Sequence, residues 1–261
     1  MTPAIALTLY KRPAITKRVL DALLECYDID GIPVYLSQDW NFEHNDACEE
    51  VKRIAAHFMR HHAGPSQYFV HSDRLGIDLN KLFVIPKAFE HGADFVIFLE
   101  DDHLPSRDCV KWFIERGEEF KDDERIGFIT GYARQTKEEF LASSPEQIVI
   151  QGVDDGLSGF CPSSWATWKD RWDYFIGDGD EYRIVCGEQG LFDHYMDLRH
   201  GERLYKHRDS ITVGMNRPKW PGIVGPKIAR VQLIGWEQAT HTPSEAYWRE
   251  NELSEWGMWS L

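Results

Sequence analysis

Glu100, Asp101 and Asp102 stand in a row at the end of an apolar run, Phe95-Val96-Ile97-Phe98-Leu99, with His103 next in line. Carboxylates packed together at a strand end repel one another, which raises their pKa values and costs stability unless a cation or solvent relieves them. The triplet therefore predicts a site for a hard divalent cation with oxygen ligands. Acidic triplets also serve as solvated surface turns, so the elements that carry this one have to decide between the two uses. Farther along, Glu188 and Asp193 in Gly187-Glu188-Gln189-Gly190-Leu191-Phe192-Asp193 are candidates for taking a proton. On one helix they would lie about 140° apart, so they share a pocket only if Glu188 precedes the first turn. Gly187 and Gly190 favour that arrangement. His241, between Thr240 and Thr242, offers a neutral imidazole as a further metal ligand.

The elements before the triplet alternate. Residues 4–9 read as a strand, and residues 14–26 carry apolar side chains at 15, 19, 20, 23 and 24, a helical stripe. A second strand over 33–37, a helix over 46–62, a third strand over 67–71 and a helix over 81–91, despite Pro86, lead into the acidic-ended strand. Strands alternating with helices of this length imply right-handed crossovers and a mainly parallel sheet, with ligands beyond the strands' carboxyl ends. Tyr10-Lys11-Arg12 occupies that edge after strand one, Gln38-Asp39 after strand two, Ser72-Asp73-Arg74 after strand three and the triplet after strand four. Basic residues beside metal-competent acids suit a nucleotide diphosphate, with Asp39 free to accept from a base or ribose. No GxGxxG or Walker pattern follows strand one, which argues against a dinucleotide dehydrogenase or a P-loop kinase.

Composition narrows the classes. The 261 residues suit one large α/β domain or one domain with an extension, and 43% hydrophobic content supports a real core. A net charge of −14 with no Lys/Arg-rich block argues against a nucleic-acid partner. The five cysteines, 26, 48, 109, 161 and 186, are odd in number and form no CxxC pair, so reduced thiols are expected. No apolar run approaches the roughly 18 residues of a transmembrane segment, and the N-terminus shows no signal-peptide core, so the expected location is cytoplasmic.

Beyond residues 126–130 the alternation loosens. Residues 162–174 form a Trp-rich, helix-like segment, and Gly177-Asp178-Gly179-Asp180 reads as an exposed turn. The last stretch contains Trp220, Trp236, Trp248, Trp256 and Trp259 with Pro218, Pro221, Pro226 and Pro243. Aromatic density of this kind calls for burial or a ligand to stack on, so the tail reads as an arm over the core. The division expected is residues 1–215 as the α/β domain that carries the crevice and 216–261 as a C-terminal extension packed on it.

These residues resemble the GT-A-fold, metal-dependent inverting glycosyltransferases, and among them the N-acetylglucosaminyltransferase I family. Residues 5–24 are similar to that family's first strand and helix, with a basic residue in the loop. Ser37-Gln38-Asp39 resembles its second strand ending, Glu100-Asp101-Asp102 its variant of the DxD motif, residues 159–172 its glycine loop and Trp-bearing acceptor-side helix, and residues 192–196 its base-carrying segment. His194 departs from the pattern, as does everything from about Asn216. The resemblance implies Asp102 as the direct metal contact, Glu100 and Asp101 on the donor's ribose and sugar, Arg12 and Asp39 on uridine and its phosphates, and Asp193 as base with Glu188 in reserve. Thr8, Tyr10 and Arg74 complete the expected donor set, His241 is a second metal candidate, and the cofactor is Mn2+ or Mg2+.

The implied reaction moves a sugar, GlcNAc or another hexose, from a UDP-sugar to a hydroxyl of a glycan or other acceptor with inversion. Its chemistry fits the residues, because a cation stabilises charge on a departing diphosphate and a carboxylate taking the acceptor proton supplies roughly 10²–10⁴ in rate. A nucleotidyltransferase making the activated sugar would also place acids beyond parallel strands, but it calls for a Gly-rich first loop that Tyr10-Lys11-Arg12-Pro13 lacks. A non-catalytic protein that binds carbohydrate or nucleotide sugar is the third reading.

Overall fold

The computed structural model describes residues 1–72, 74–133, 141–151, 164–176 and 222–235. Four parallel strands make its first half: β1 (Pro3–Leu9), β2 (Val34–Gln38), β3 (Ser66–Val70) and β4 (Phe95–Glu100). Helices α1 (Pro13–Leu24), α2 (Asn45–His61) and α3 (Ile77–Glu90) connect them in turn, with a short 3₁₀ turn, Phe42–His44, ahead of α2. Spatially the order is β3-β2-β1-β4, so the chain steps outward twice from β1 and then returns to its other side. The reversal between β1 and β4 is the topological switch point, where doubly wound sheets hold their ligands.

Four of the remaining six described strands widen the same sheet. β5 (His103–Pro105) follows the triplet directly, and α4 (Cys109–Phe120) leads to β6 (Ile126–Thr130). β7 (Ile148–Gln151), β8 (Trp165–Trp168), α5 (Lys169–Ile176), β9 (Gly222–Pro226) and β10 (Val231–Leu233) complete the described elements. The eight-stranded sheet runs β3-β2-β1-β4-β8-β6-β9-β7, with β8 antiparallel between β4 and β6 and β7 antiparallel at one edge. β5 and β10 form a separate antiparallel ribbon. The architecture is the expected one: an α/β fold with a mainly parallel sheet flanked by helices.

Alternation along β1 and β4 explains the layers. Ile5, Leu7, Leu9, Phe95, Ile97 and Leu99 pack on one face with the apolar sides of α1, α2 and α4. Ala4, Ala6, Val96 and Phe98 pack on the other with Val84, Ile85, Ala88 and Phe89 of α3 and with Trp172 of α5. Small alanines on β1 let α3 approach closely, and α3 continues through Pro86 because this buried face holds it.

Three segments differ from the sequence reading. Residues 162–174 were expected to be helix-like throughout, but Trp165–Trp168 is a strand and helix begins only at Lys169. The cause is burial on both faces, which makes Trp-Ala-Thr-Trp a central strand and hides its period. α3 starts a turn earlier than Lys81, at Ile77 behind Gly76, whose φ of 78° suits a residue without Cβ. Residues 222–235 do more than cover the core, since β9 enters the main sheet beside β6 and β10 pairs with β5.

Candidate active site

Register brings the loops together. Thr8 lies between Ser37 of β2 and Glu100 of β4, so the loop Tyr10-Lys11-Arg12 leaves the sheet beside the triplet. Pro13 opens α1 at a position where a missing N–H costs nothing, which turns the chain sharply and leaves Arg12 at the helix entrance. Arg12 Nη2 donates to Asp101 Oδ1, Nε to Asp101 Oδ2 at 3.4 Å, and Nη1 to Asp102 Oδ2 at 3.0 Å. The backbone N–H of Tyr10 donates to Asp101 Oδ2 at 3.3 Å.

These contacts separate the three acids by role. Asp101 is 4% exposed and takes donors from Arg12 and Tyr10, so it anchors the first loop to the fourth strand. Burial pushes its carboxyl up to about 6, with Arg12 opposing the rise and Asp102 adding to it. Burial alone would lower the Arg12 pKa, but Asp101 and Asp102 together raise it. Glu100 and Asp102, one residue apart on either side of Asp101, remain partly exposed. Glu100 pairs with Lys81 Nζ of α3 at 2.9 Å, and Lys81 also lies 5.3 Å from the Phe98 ring centre.

His103 is buried behind them. Its Nδ1 accepts from the Glu100 backbone N–H at 3.0 Å, which in a neutral ring places the proton on Nε2, 3.7 Å from Asp102 Oδ1. Burial holds its pKa below the ordinary histidine value, so the ring is neutral. One ligand atom each from Glu100, Asp102 and His103 lie within 4.8 Å of one another. With Nδ1 used and Nε2 carrying the proton, the ring supports the acids and leaves two carboxylates as ligands. Two carboxylates fit a hard cation such as Mn2+ or Mg2+ that takes its other oxygens from phosphate and water.

The other strand ends form the flank of the crevice. Tyr10 accepts at its hydroxyl from Asn41 Nδ2 at 2.9 Å, and its ring has Lys11 Nζ at 5.5 Å and Arg74 Cζ at 5.8 Å. Asp39 is buried, and its two oxygens accept from the backbone N–H groups of Leu75 at 2.7 Å and Gly76 at 2.9 Å. It was read as free to accept from a base or ribose; in the fold it organises the loop that carries Arg74. Burial raises its pKa, while those two amides and Arg74 oppose the rise. Below it, Ser37 Oγ donates to Asn80 Oδ1 and accepts from His71 Nε2 at 2.8 Å.

The structure thus brings together Thr8, Tyr10, Arg12, Asp39, Arg74, Glu100, Asp101 and Asp102 from the sequence-derived set. Glu188, Asp193 and His241 lie outside the described residues. Lys81, His103 and the β10 segment were not singled out. His103 had a signal in its adjacency to the triplet, whereas Lys81 sits mid-sequence in an unremarkable helix pattern. Trp172, in the segment resembling an acceptor-side helix, is 1% exposed and stacks on Trp165 at 6.0 Å, so it serves the core.

Neither a protein-family model nor a curated relative matches this chain. Solved structures do. The Pyrobaculum calidifontis mannosyltransferase PcManGT, in complex with GDP-Man and Mn2+, is 15% identical, with 65% of this chain and 45% of that one covered and a TM-score of 0.43. Mouse xyloside xylosyltransferase 1 is 14% identical over 83% and 82%, with a TM-score of 0.43. A CMP:2-keto-3-deoxy-manno-octonic acid synthetase complexed with CTP is 11% identical over 96% of each chain, with a TM-score of 0.45. The chain spans less than half of the mannosyltransferase and 21% of a S. aureus TarS structure. Among the described residues no helix is long and apolar enough to cross a membrane.

Proposed function

We propose that this protein is a GT-A-type, metal-dependent inverting glycosyltransferase that moves a hexosyl group, GlcNAc among the candidates, from a UDP-sugar to an acceptor hydroxyl. The observation that carries the reading is the meeting of Arg12 with Asp101 and Asp102 at the β1/β4 switch point, beside Glu100 and Lys81. Glu100 and Asp102 would hold Mn2+ or Mg2+, which when bound offsets negative charge on the departing diphosphate. Asp101 fixes Arg12 at the mouth of the crevice, where its guanidinium and the Lys81 ammonium can donate to phosphate oxygens. Tyr10 and Arg74 form the nucleoside side of the same crevice, over the loop that Asp39 ties down.

In the transfer, the acceptor oxygen bonds to the anomeric carbon as the bond from that carbon to the diphosphate oxygen breaks. UDP leaves, and the acceptor proton passes to a carboxylate, for which Asp193 is the proposed base and Glu188 the reserve. Attack from the face opposite the diphosphate inverts the configuration. His241 remains a proposed additional ligand, and residues 1–215 and 216–261 the proposed division of the chain.

The test is product analysis with a panel of nucleotide sugars, Mn2+ and simple glycan acceptors. UDP release with an inverted glycoside is expected, together with loss of transfer but retention of UDP-sugar binding in Asp193→Ala. Release of pyrophosphate instead would identify a nucleotidyltransferase. Binding without any turnover across the panel would favour a non-catalytic protein.

A further inference from the structure

Gly235, two residues after the end of β10, lies against the Asp102 carboxylate. A Cβ at this position would sit 2.0 Å from Asp102 Oδ2, 2.9 Å from its Cγ and 3.0 Å from Arg12 Nη1. The approach is fixed from the backbone as well. Ile234 donates its N–H to the Asp102 carbonyl at 3.0 Å, and Leu233 and Gln232 pair with His103 and Leu104 across the β5/β10 ribbon. Both the main chain and the side chain of Asp102 are therefore referenced to residues 231–235. Space, not backbone conformation, demands glycine here. The atom that a Cβ would strike is the movable end of a short side chain, so a methyl group turns the carboxylate away while the ribbon stays paired.

Resting on the reading of Asp102 as a cation ligand, we infer that Gly235 is a positioning residue: its missing side chain lets the Asp102 carboxylate lie against Arg12 and face a divalent cation at once. Metal sites lose affinity when the groups that orient their ligands shift, by roughly 10- to 100-fold in measured cases. Residues 231–235, far from the triplet in sequence, thus belong to the site through their hold on Asp102. His103 buttresses Asp102 from the same ribbon, so the carboxylate is bounded on two sides.

Two measurements test this on the 261-residue chain. The first is Mn2+ titration, followed by the electron paramagnetic resonance signal of the free ion, for wild type and Gly235→Ala, alongside thermal unfolding of each. The expected result is at least a tenfold weaker Mn2+ affinity in Gly235→Ala with cooperative unfolding retained; equal affinities overturn the inference. The second is a double-mutant cycle in urea with Asp102→Ala, which needs no metal. Asp102→Ala is expected to cost stability in the wild type and to cost less, or to stabilise, in the Gly235→Ala background, where it relieves the collision. Should Gly235→Ala fail to fold, folding of the double variant supports the inference and its failure to fold overturns it. Additive costs in the cycle overturn the hold of Gly235 on Asp102 even if the wild type binds Mn2+. Coupling in the cycle with no Mn2+ binding by the wild type overturns the metal reading and upholds that hold.

Discussion

Arg12 and Asp101 are locked together where β1 and β4 part, with the guanidinium reaching both carboxylate oxygens and the Asp101 side chain 5% exposed. A buried ion pair of this geometry adds little compared with apolar residues of the same size, but removing one partner strands the other. Arg12→Met is therefore expected to destabilise the fold by about 3–5 kcal/mol, because Asp101 is left buried without its cation. Replacing both, Arg12→Met with Asp101→Leu, should recover most of that loss. Urea unfolding of the single and double variants checks it, and equal costs for the two would show that the pair does not anchor the loop.

Asp39 ties down the segment ahead of α3 through the amides of Leu75 and Gly76. Asp39→Ala removes both acceptors and is expected to raise hydrogen exchange at those two amides well before global unfolding, while amides of β1 and β4 keep their protection. Because the same loop carries Arg74 over Tyr10, UDP affinity should fall with it. Unchanged exchange at Leu75 and Gly76 would refute the assignment.

His71 supplies a pH dependence with a definite sign. Burial lowers its pKa from 6.5 to about 4 in the fold, where Nε2 faces Ser37 Oγ and the ring meets Phe83 edge-on at 4.6 Å. The unfolded chain takes up a proton near pH 6.5 and the folded protein only near pH 4. The stability that comes from keeping the ring neutral is therefore fully present above pH 6.5 and is lost as the pH falls through that window to about 4. Asp39, whose folded pKa is raised, acts in the opposite sense, so the measurement is the difference between wild type and His71→Gln. That difference in unfolding free energy should shrink steadily from pH 7 to 4.5. A difference constant across the range would contradict the buried neutral ring.

The half of the fold that builds the site was legible because its signals are local. Apolar runs such as Phe95–Leu99 and the 15-19-20-23 stripe need no knowledge of the rest of the chain, and the alternation of the two fixes where carboxyl ends go. Trp165–Trp168 was not legible, since four residues buried on both faces give neither a period nor an apolar run as long as Phe95–Leu99. The same limit applies within the site. That acids and Arg12 converge follows from strand order, but the inward turn of Asp101, the capture of Asp39 by backbone amides and the pairing of Lys81 with Glu100 depend on burial and reach. Gly235 gave no signal, because a close approach is a property of two segments brought together by folding.

On the proposed reading Glu100 and Asp102 hold a divalent cation that bridges the protein to a nucleotide diphosphate. The decisive measurement is calorimetric titration of UDP into the protein with and without Mn2+, repeated for Asp102→Ala. UDP binding is expected to require Mn2+ and to be lost in Asp102→Ala while the variant stays folded. Binding of UDP with the same affinity in the presence and absence of Mn2+, or unaltered binding by Asp102→Ala, would contradict it.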